Sequence, residues 1–424
     1  MQISLSVSWL LAGVLVSVPS VVAAQVSGTC RPELVRTGGQ GVYRDLGGGR
    51  IHQFASGGVL ARCIGQPTTI RADSVAWYAE LNRMDFEGTV RFRDSTTRLD
   101  ADRARYFPND ERLEAYGAVH LEDENTKSVL TGDNLTYYRV APGVRDTSEL
   151  FASRRPTVEY QDPNADRAEP YVIRGDRVRL KGEGRAWATG RVTIDRSDFS
   201  ASGDSVALDL DRGDGTIVGS ASAAGQDTSS YVLKGSVIAF RLTDGDLSWV
   251  QAQDSGEALS AEWVALGDTI ELSIVDDLIQ QGNVWGVVRR PRVQSAEQTI
   301  IGDSLAIDAP DQILSEIRGF GSALATTAGD TTAAGPDWIS GDTLLARFDS
   351  TETGKRVIVM IRADGNARAY YHVFPPEGEV GPPAINYARG RRIIALFRDE
   401  ELDRIDVVDQ ADGVYLEPIV SRTP

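Results

Sequence analysis

From about Ile70 onward the chain alternates apolar and polar residues over runs of five to seven positions. Alternation of period two is the pattern of a β-strand with one buried face. The runs share a short motif: a small residue, Asp, any residue, an apolar residue, any residue, an apolar residue. It reads Ala72-Asp73-Ser74-Val75-Ala76-Trp77 and Ala101-Asp102-Arg103-Ala104-Arg105-Tyr106. Further copies carry their Asp at Asp133, Asp176, Asp204, Asp268, Asp303 and Asp342, and Gly235-Ser236-Val237-Ile238 is a copy without it. Between them lies a second half-motif opened by Gly, as in Gly88-Thr89-Val90-Arg91-Phe92, Gly117-Ala118-Val119-His120-Leu121 and Gly190-Arg191-Val192-Thr193-Ile194. Gly and Asp are expected where each strand starts, Gly in a left-handed backbone position and Asp bonding the amides of its own turn.

Spacings of 28 to 43 residues between copies are those of stacked repeats with turns of variable length. No amphipathic helix is expected. The fold class is therefore all-β: an elongated antiparallel stack of two sheets, built from repeats of about 30 residues. Eight or nine repeats at about 4.8 Å per strand give a rod of about 80 Å. Val140 to Ser148 and Gln161 to Pro170 read as loops, and residues 326–336, rich in Thr, Ala and Gly, as a flexible linker. The expected organisation is a signal segment at 1–24, repeats at 25–325, the linker at 326–336, and a C-terminal β repeat and cap at 337–424.

Composition narrows the function. Of 424 residues, 44 are Lys or Arg and 61 Asp or Glu, a net charge of -17 that disfavours nucleic acid as a partner. From Ile3 to Ala24 there is no charged residue, and the stretch ends in small residues, Val22-Ala23-Ala24. This reads as an export signal, with a retained single-span anchor as the alternative. Two cysteines, Cys30 and Cys63, form a candidate disulfide in an oxidising compartment, worth about 3 kcal/mol, and two free buried thiols are the alternative. Only three His are present, far apart, and neither a zinc site nor a cofactor site is legible. The nucleophile-elbow, phosphate-loop and zincin motifs are missing, so no enzyme is expected. The repeated Asp residues are explained better by turns than by calcium or a glycosidase carboxylate pair.

Three segments together, Asp100 to Tyr106, Arg112 to Val119 and Leu130 to Tyr137, resemble the OstA-like family. That family includes the periplasmic bridge protein of lipopolysaccharide transport and the N-terminal domain of the outer-membrane translocon. Gly365 to Tyr371 and Gly413 to Pro418 resemble its longer members. The resemblance implies a twisted, open β-jellyroll whose two sheets form a trough for acyl chains. Its ends would pair with other jellyrolls of the bridge by edge-strand addition, in the periplasm and toward the outer membrane. The chain departs from the family in being longer than the usual bridge protein while lacking the translocon's barrel.

On this reading Val75, Trp77, Val90, Phe92, Tyr106, Val119, Leu121, Leu135, Tyr137, Val178, Leu180, Val192 and Ile194 line the lipid groove. Alternation alone fits a closed core equally well. Shielding one chain of about twelve carbons is worth on the order of 10 kcal/mol, which outweighs repulsion between screened charges. Arg154-Arg155, Arg289-Arg290 with Arg292, and Arg389 with Arg391-Arg392 are candidate headgroup contacts, although such clusters are more often solvated faces. The expected function is that of a non-enzymatic carrier or bridge for lipopolysaccharide or a similar glycolipid. The alternative is a structural or adhesive β-solenoid of the cell envelope with a filled core.

Overall fold

The computed structural model describes residues 29–418 apart from 40, 49, 142, 162–168, 183, 198, 226–230, 244–245, 297, 328–334, 352–354, 375–380 and 399–400. The expected signal segment lies outside the described residues. Among the described residues, twenty-eight strands form one antiparallel sheet in which each crossing of the chain pairs with the crossings before and after it. They are β1 (Pro32–Thr37), β2 (Val42–Asp45), β3 (Ile51–Cys63), β4 (Thr69–Tyr78), β5 (Arg83–Arg93), β6 (Thr97–Phe107), β7 (Arg112–Asp123), β8 (Val129–Tyr138), β9 (Glu149–Ser153) and β10 (Thr157–Tyr160). There follow β11 (Tyr171–Arg174), β12 (Arg177–Lys181), β13 (Arg185–Asp195), β14 (Phe199–Asp209), β15 (Asp214–Gly225), β16 (Val232–Thr243), β17 (Asp246–Leu259), β18 (Val264–Val275) and β19 (Leu278–Trp285). The last are β20 (Arg292–Gln294), β21 (Gln298–Ile301), β22 (Ser304–Asp308), β23 (Glu316–Thr327), β24 (Trp338–Ser350), β25 (Arg356–Val373), β26 (Ala384–Arg398), β27 (Glu401–Val408) and β28 (Asp412–Leu416). The helical segments among the described residues are single 3₁₀ turns, Ala79–Leu81 and Pro310–Gln312.

Gly175-Asp176 and Gly302-Asp303 do precede strands, β12 and β22, but the other repeated Gly and Asp do not start strands, and this corrects the expectation drawn from their spacing. They lie in the middle of long ones. Gly88 and Thr89 in β5 both have positive φ, +76° and +44°, and the register with β4 and β6 slips there. The same two-residue bulge recurs at Gly117-Ala118, Gly190-Arg191, Gly219-Ser220, Gly321-Ser322 and Gly365-Asn366. Each bulge faces the Asp of the preceding strand. A Cβ on Gly88 would overlap the Asp73 carboxylate, and Gly117 and Asp102, Gly219 and Asp204, and Gly365 and Asp342 repeat the arrangement. The Gly is thus required twice, for the left-handed backbone and for room. Where Ser236 replaces the Asp, Asp254-Ser255 replaces the Gly pair, and the Ser236 hydroxyl donates to the Asp254 carbonyl at 3.1 Å. In the β19–β20 crossing a loop from Gly286 to Pro291 stands in for the bulge. There the Asp268 carboxylate accepts from the amides of Val287, Val288 and Arg289 at 2.7, 2.8 and 2.8 Å.

The bulges divide each strand into two half-strands, and each half contributes a register row to one core. On one side Val75, Phe86, Ala104, Ala115, Leu135 and Ala152 stand opposite one another from β4 to β9. On the other Ile70, Phe92, Leu99, Leu121, Leu130 and Val158 do so from β4 to β10. All twelve are buried in a single hydrophobic cluster. The first row mixes large residues, Phe86 and Leu135, with small ones, Ala104, Ala115 and Ala152, which leaves room for side chains of the facing half-sheet. Six crossings are split at the bulge (β1/β2, β9/β10, β11/β12, β19/β20, β21/β22 and β27/β28), so the strands make twenty-two crossings, a stack of about 100 Å at the usual strand spacing. The ladder is continuous from β23 to β24, with Thr326 opposite Trp338. The segment expected to be a linker connects these two paired strands, and its residues 328–334 lie outside the described ones.

Candidate functional site

The turns at the strand ends form two lips, one for each half-sheet, and contacts between lips define the site. Asp94, in the β5–β6 turn, accepts the Thr96 and Thr97 amides at 3.0 and 2.8 Å. Its Oδ2 also takes the Arg139 Nε–H at 3.2 Å from the opposite lip. Arg139 Nη1 donates to Glu111 Oε2 at 2.8 Å and to Gln66 Oε1 at 3.2 Å. Glu111 further accepts the Tyr106 hydroxyl at 2.7 Å and the Cys30 amide. Cys30 and Cys63 are joined by a disulfide, and Cys63 Sγ lies 3.6 Å from the Tyr106 hydroxyl.

These charges are buried: the side chains of Arg139, Asp94 and Glu111 are 12%, 5% and 2% exposed. Such a group survives desolvation only because its members satisfy one another. Burial pushes the Tyr106 hydroxyl pKa up, and the Glu111 carboxylate adds to the effect. Tyr137 is pushed up by burial and then by Asp94. Burial works against the Arg139 charge, but Tyr106, Asp94 and Glu111 more than offset it. The clamp holds the lips together at the N-terminal end. Further along, Glu262 Oε2 accepts the Leu314 amide across the same gap at 3.3 Å.

Between the two closures lies a cavity of about 350 Å³. Leu121, Leu130, Tyr137, Leu150, Leu180 and Leu210 form much of its apolar wall, and Asp94, Asp123, Asn125, Arg139 and Arg185 its polar margin. A narrower apolar slot shares Tyr160 and Leu210 with it and continues along Tyr171, Phe199, Leu242 and Leu247. Apolar walls with a few converging polar groups, at a volume above roughly 300 Å³, describe a small-molecule site.

The residues expected in the groove divide between core and cavity. Val75, Val90, Phe92, Tyr106, Val119, Leu121, Leu135, Tyr137, Val178, Val192 and Ile194 are buried in the core cluster, and Trp77 and Leu180 are partly buried against it. Of these, Leu121, Tyr137 and Leu180 line the main cavity and Ile194 the narrower slot. Val75, Val119 and Val192, next to the bulges, are packed away from both. Sequence reasoning missed Leu150, Leu210, Leu242 and the clamp. For Leu210 and Leu242 the signal was an apolar residue closing an alternating run just before a turn, as in Leu208-Asp209-Leu210 and Phe240-Arg241-Leu242. Among the basic clusters, Arg154 and Arg155 sit on a bulge of their own with φ of +68° and +59°, and the Arg290 guanidinium donates to the Ser322 carbonyl at 2.8 Å. Among the described residues no group of three His, Cys, Asp or Glu is placed to hold a metal ion. In comparisons with known proteins, no family model and no curated protein matches this chain.

Proposed function

We propose that the chain is an exported, non-enzymatic carrier of the OstA-like kind, which shields acyl chains of lipopolysaccharide or a similar glycolipid on their way to the outer membrane. The observation that carries this reading is the apolar cavity and slot between the lips, bounded at each end by a polar closure. An acyl chain laid along Leu121, Leu150, Leu180 and Leu210 would be shielded from water, with its polar end at the Asp123–Arg185 margin. At about 0.8 kcal/mol per buried CH2, a chain of about twelve carbons gains on the order of 10 kcal/mol. The ends of the stack support bridging in the periplasm. Among the described residues β1 and β2 pair only with β3, and β27 and β28 only with β26, which supports a backbone edge at each end for strand addition. Val42 and Tyr43 at one end, and Val414, Tyr415 and Leu416 at the other, are exposed.

One observation favours the second reading, an envelope protein with a filled core: most of the interior is packed, with Met84, Phe86, Val90 and Leu113 at 0% exposure. Native mass spectrometry with lipid extraction separates the two. Leu180 and Leu210 are only partly buried, so Leu180→Arg and Leu210→Arg should fold. The carrier reading expects glycolipid bound to the wild type and reduced at least tenfold in both variants. A folded wild-type protein that takes up no added lipopolysaccharide would leave the filled core as the better account.

A further inference from the structure

The outer face of the half-sheet that begins with β1 carries an unusual block of like charges. Arg71 in β4 stands directly opposite Arg91 in β5, and Arg93 in β5 directly opposite Arg98 in β6. Their neighbours Ile70, Phe92 and Leu99 point inward and are buried, so by alternation the four arginines face outward. Like charges directly opposite each other destabilise a sheet. Elsewhere the same protein sets basic residues opposite acids within ion-pair distance: Arg62 with Glu33, Arg185 with Asp209, Arg241 with Asp214 and Arg347 with Glu316. Two other basic pairs, Lys181 with Arg185 and Arg368 with Arg389, have acids on the flanking rungs at Glu149, Asp209 or Asp412, as this block has Asp100 opposite Arg91 and Glu122 opposite Arg98; what sets the block apart is that two basic pairs lie side by side.

In the four-arginine block the acids are largely committed. Asp100 reaches Arg91 only at 3.8 Å, Arg98 is held by Glu124, and Asp102 is seated against Gly117. Glu122, opposite Arg98, remains at the margin. Arg71 and Arg93 have no acidic partner among the described residues. All four arginines line one polar concavity of about 720 Å³, together with Thr69, Thr89 and His120 and the carboxylates Asp100, Asp102 and Glu122. Guanidinium forks match phosphate oxygens in geometry and charge, and the hydroxyls supply further donors.

We propose that Arg71, Arg91, Arg93 and Arg98 form a phosphate-binding site on the outer face of the sheet, taking a phosphate monoester or diphosphate group. The net charge of -17 repels anions at a distance, but beyond about 8 Å it is screened at physiological salt, so recognition occurs at contact. The site is separate from the cavity between the lips, with which it shares only β6 and β7.

The test uses the whole chain. Calorimetric titration with inorganic pyrophosphate should give saturable binding, weakened at least tenfold by Arg71→Gln/Arg93→Gln and unchanged by Arg347→Gln, an exposed and ion-paired control. Sedimentation with phosphatidylcholine vesicles containing phosphatidic acid distinguishes the source. Vesicle binding lost in the double variant supports the site as a reader of lipid headgroups. Pyrophosphate binding without vesicle binding supports it as a reader of a soluble phosphorylated ligand. Removing two like-charge contacts should also leave the double variant melting at or above the wild-type temperature. Failure of the wild type to bind either probe, equal binding by the double variant, or a lowered melting temperature would overturn the proposal.

Discussion

At the scale of single residues, the Asp–Gly pair explains why the repeat is visible at all. Gly47 and Gly88 have nearly the same φ, +75° and +76°, but Gly47 has open space around it while Gly88 lies against Asp73. Gly47→Ala should therefore cost about 1 kcal/mol, the left-handed penalty alone. Gly88→Ala should cost about 3 kcal/mol, because the carboxylate must also move. Urea denaturation of the two variants measures the difference, and equal losses would remove the packing part of the argument. Asp268 offers a second check. Amides of Val288, Arg289 and Val287 hold its carboxyl below the ordinary range. A depressed folded-state pKa contributes stability above the unfolded value, near 4, and that contribution fades as pH falls through the folded value. The wild type should thus lose more stability than Asp268→Asn between pH 5 and the acid limit, a difference visible in melting temperatures across that range.

Elements are held together at their ends as well as along their ladders. Removing the guanidinium in Arg139→Met leaves Asp94 and Glu111 buried without their cation, and should cost about 3 to 5 kcal/mol. Adding Glu111→Gln should recover part of that loss, since the two side chains form one network. If the single and double variants differ by no more than experimental error, the clamp is not a coupled unit. The disulfide acts on the same end, closing a sequence separation of 33 residues. Its loss in Cys63→Ser should cost about 3 to 4 kcal/mol by releasing the unfolded chain.

For the whole molecule, neighbour-only pairing makes stability a local sum along the stack. Amide exchange should be fastest in β1, β2, β27 and β28, which among the described residues pair on one side only, and slowest in central strands such as β17 and β18. Uniform protection from end to end would mean that the stack unfolds as one unit. Much of this architecture was legible in the sequence. Period-two alternation specifies strands, and the recurrence of one motif specifies a stack of similar units with antiparallel neighbours, because both depend on residues a few positions apart. What Gly88 and Asp73 do together was not legible, since they are fifteen positions apart and meet only once β4 and β5 are in register. The motif therefore looked like punctuation between strands when, at every copy but those of Asp176 and Asp303, it is a bend within them. The same reason hid Arg139, Asp94 and Glu111, three charges that appear as ordinary turn residues until opposite lips approach. It also left undecided which of Leu121, Leu180 and Val192 would line a cavity and which would disappear into packing. Alternation fixes the face a side chain points to, whereas the distance to whatever stands opposite is set by the fold of the two half-sheets about their bulges.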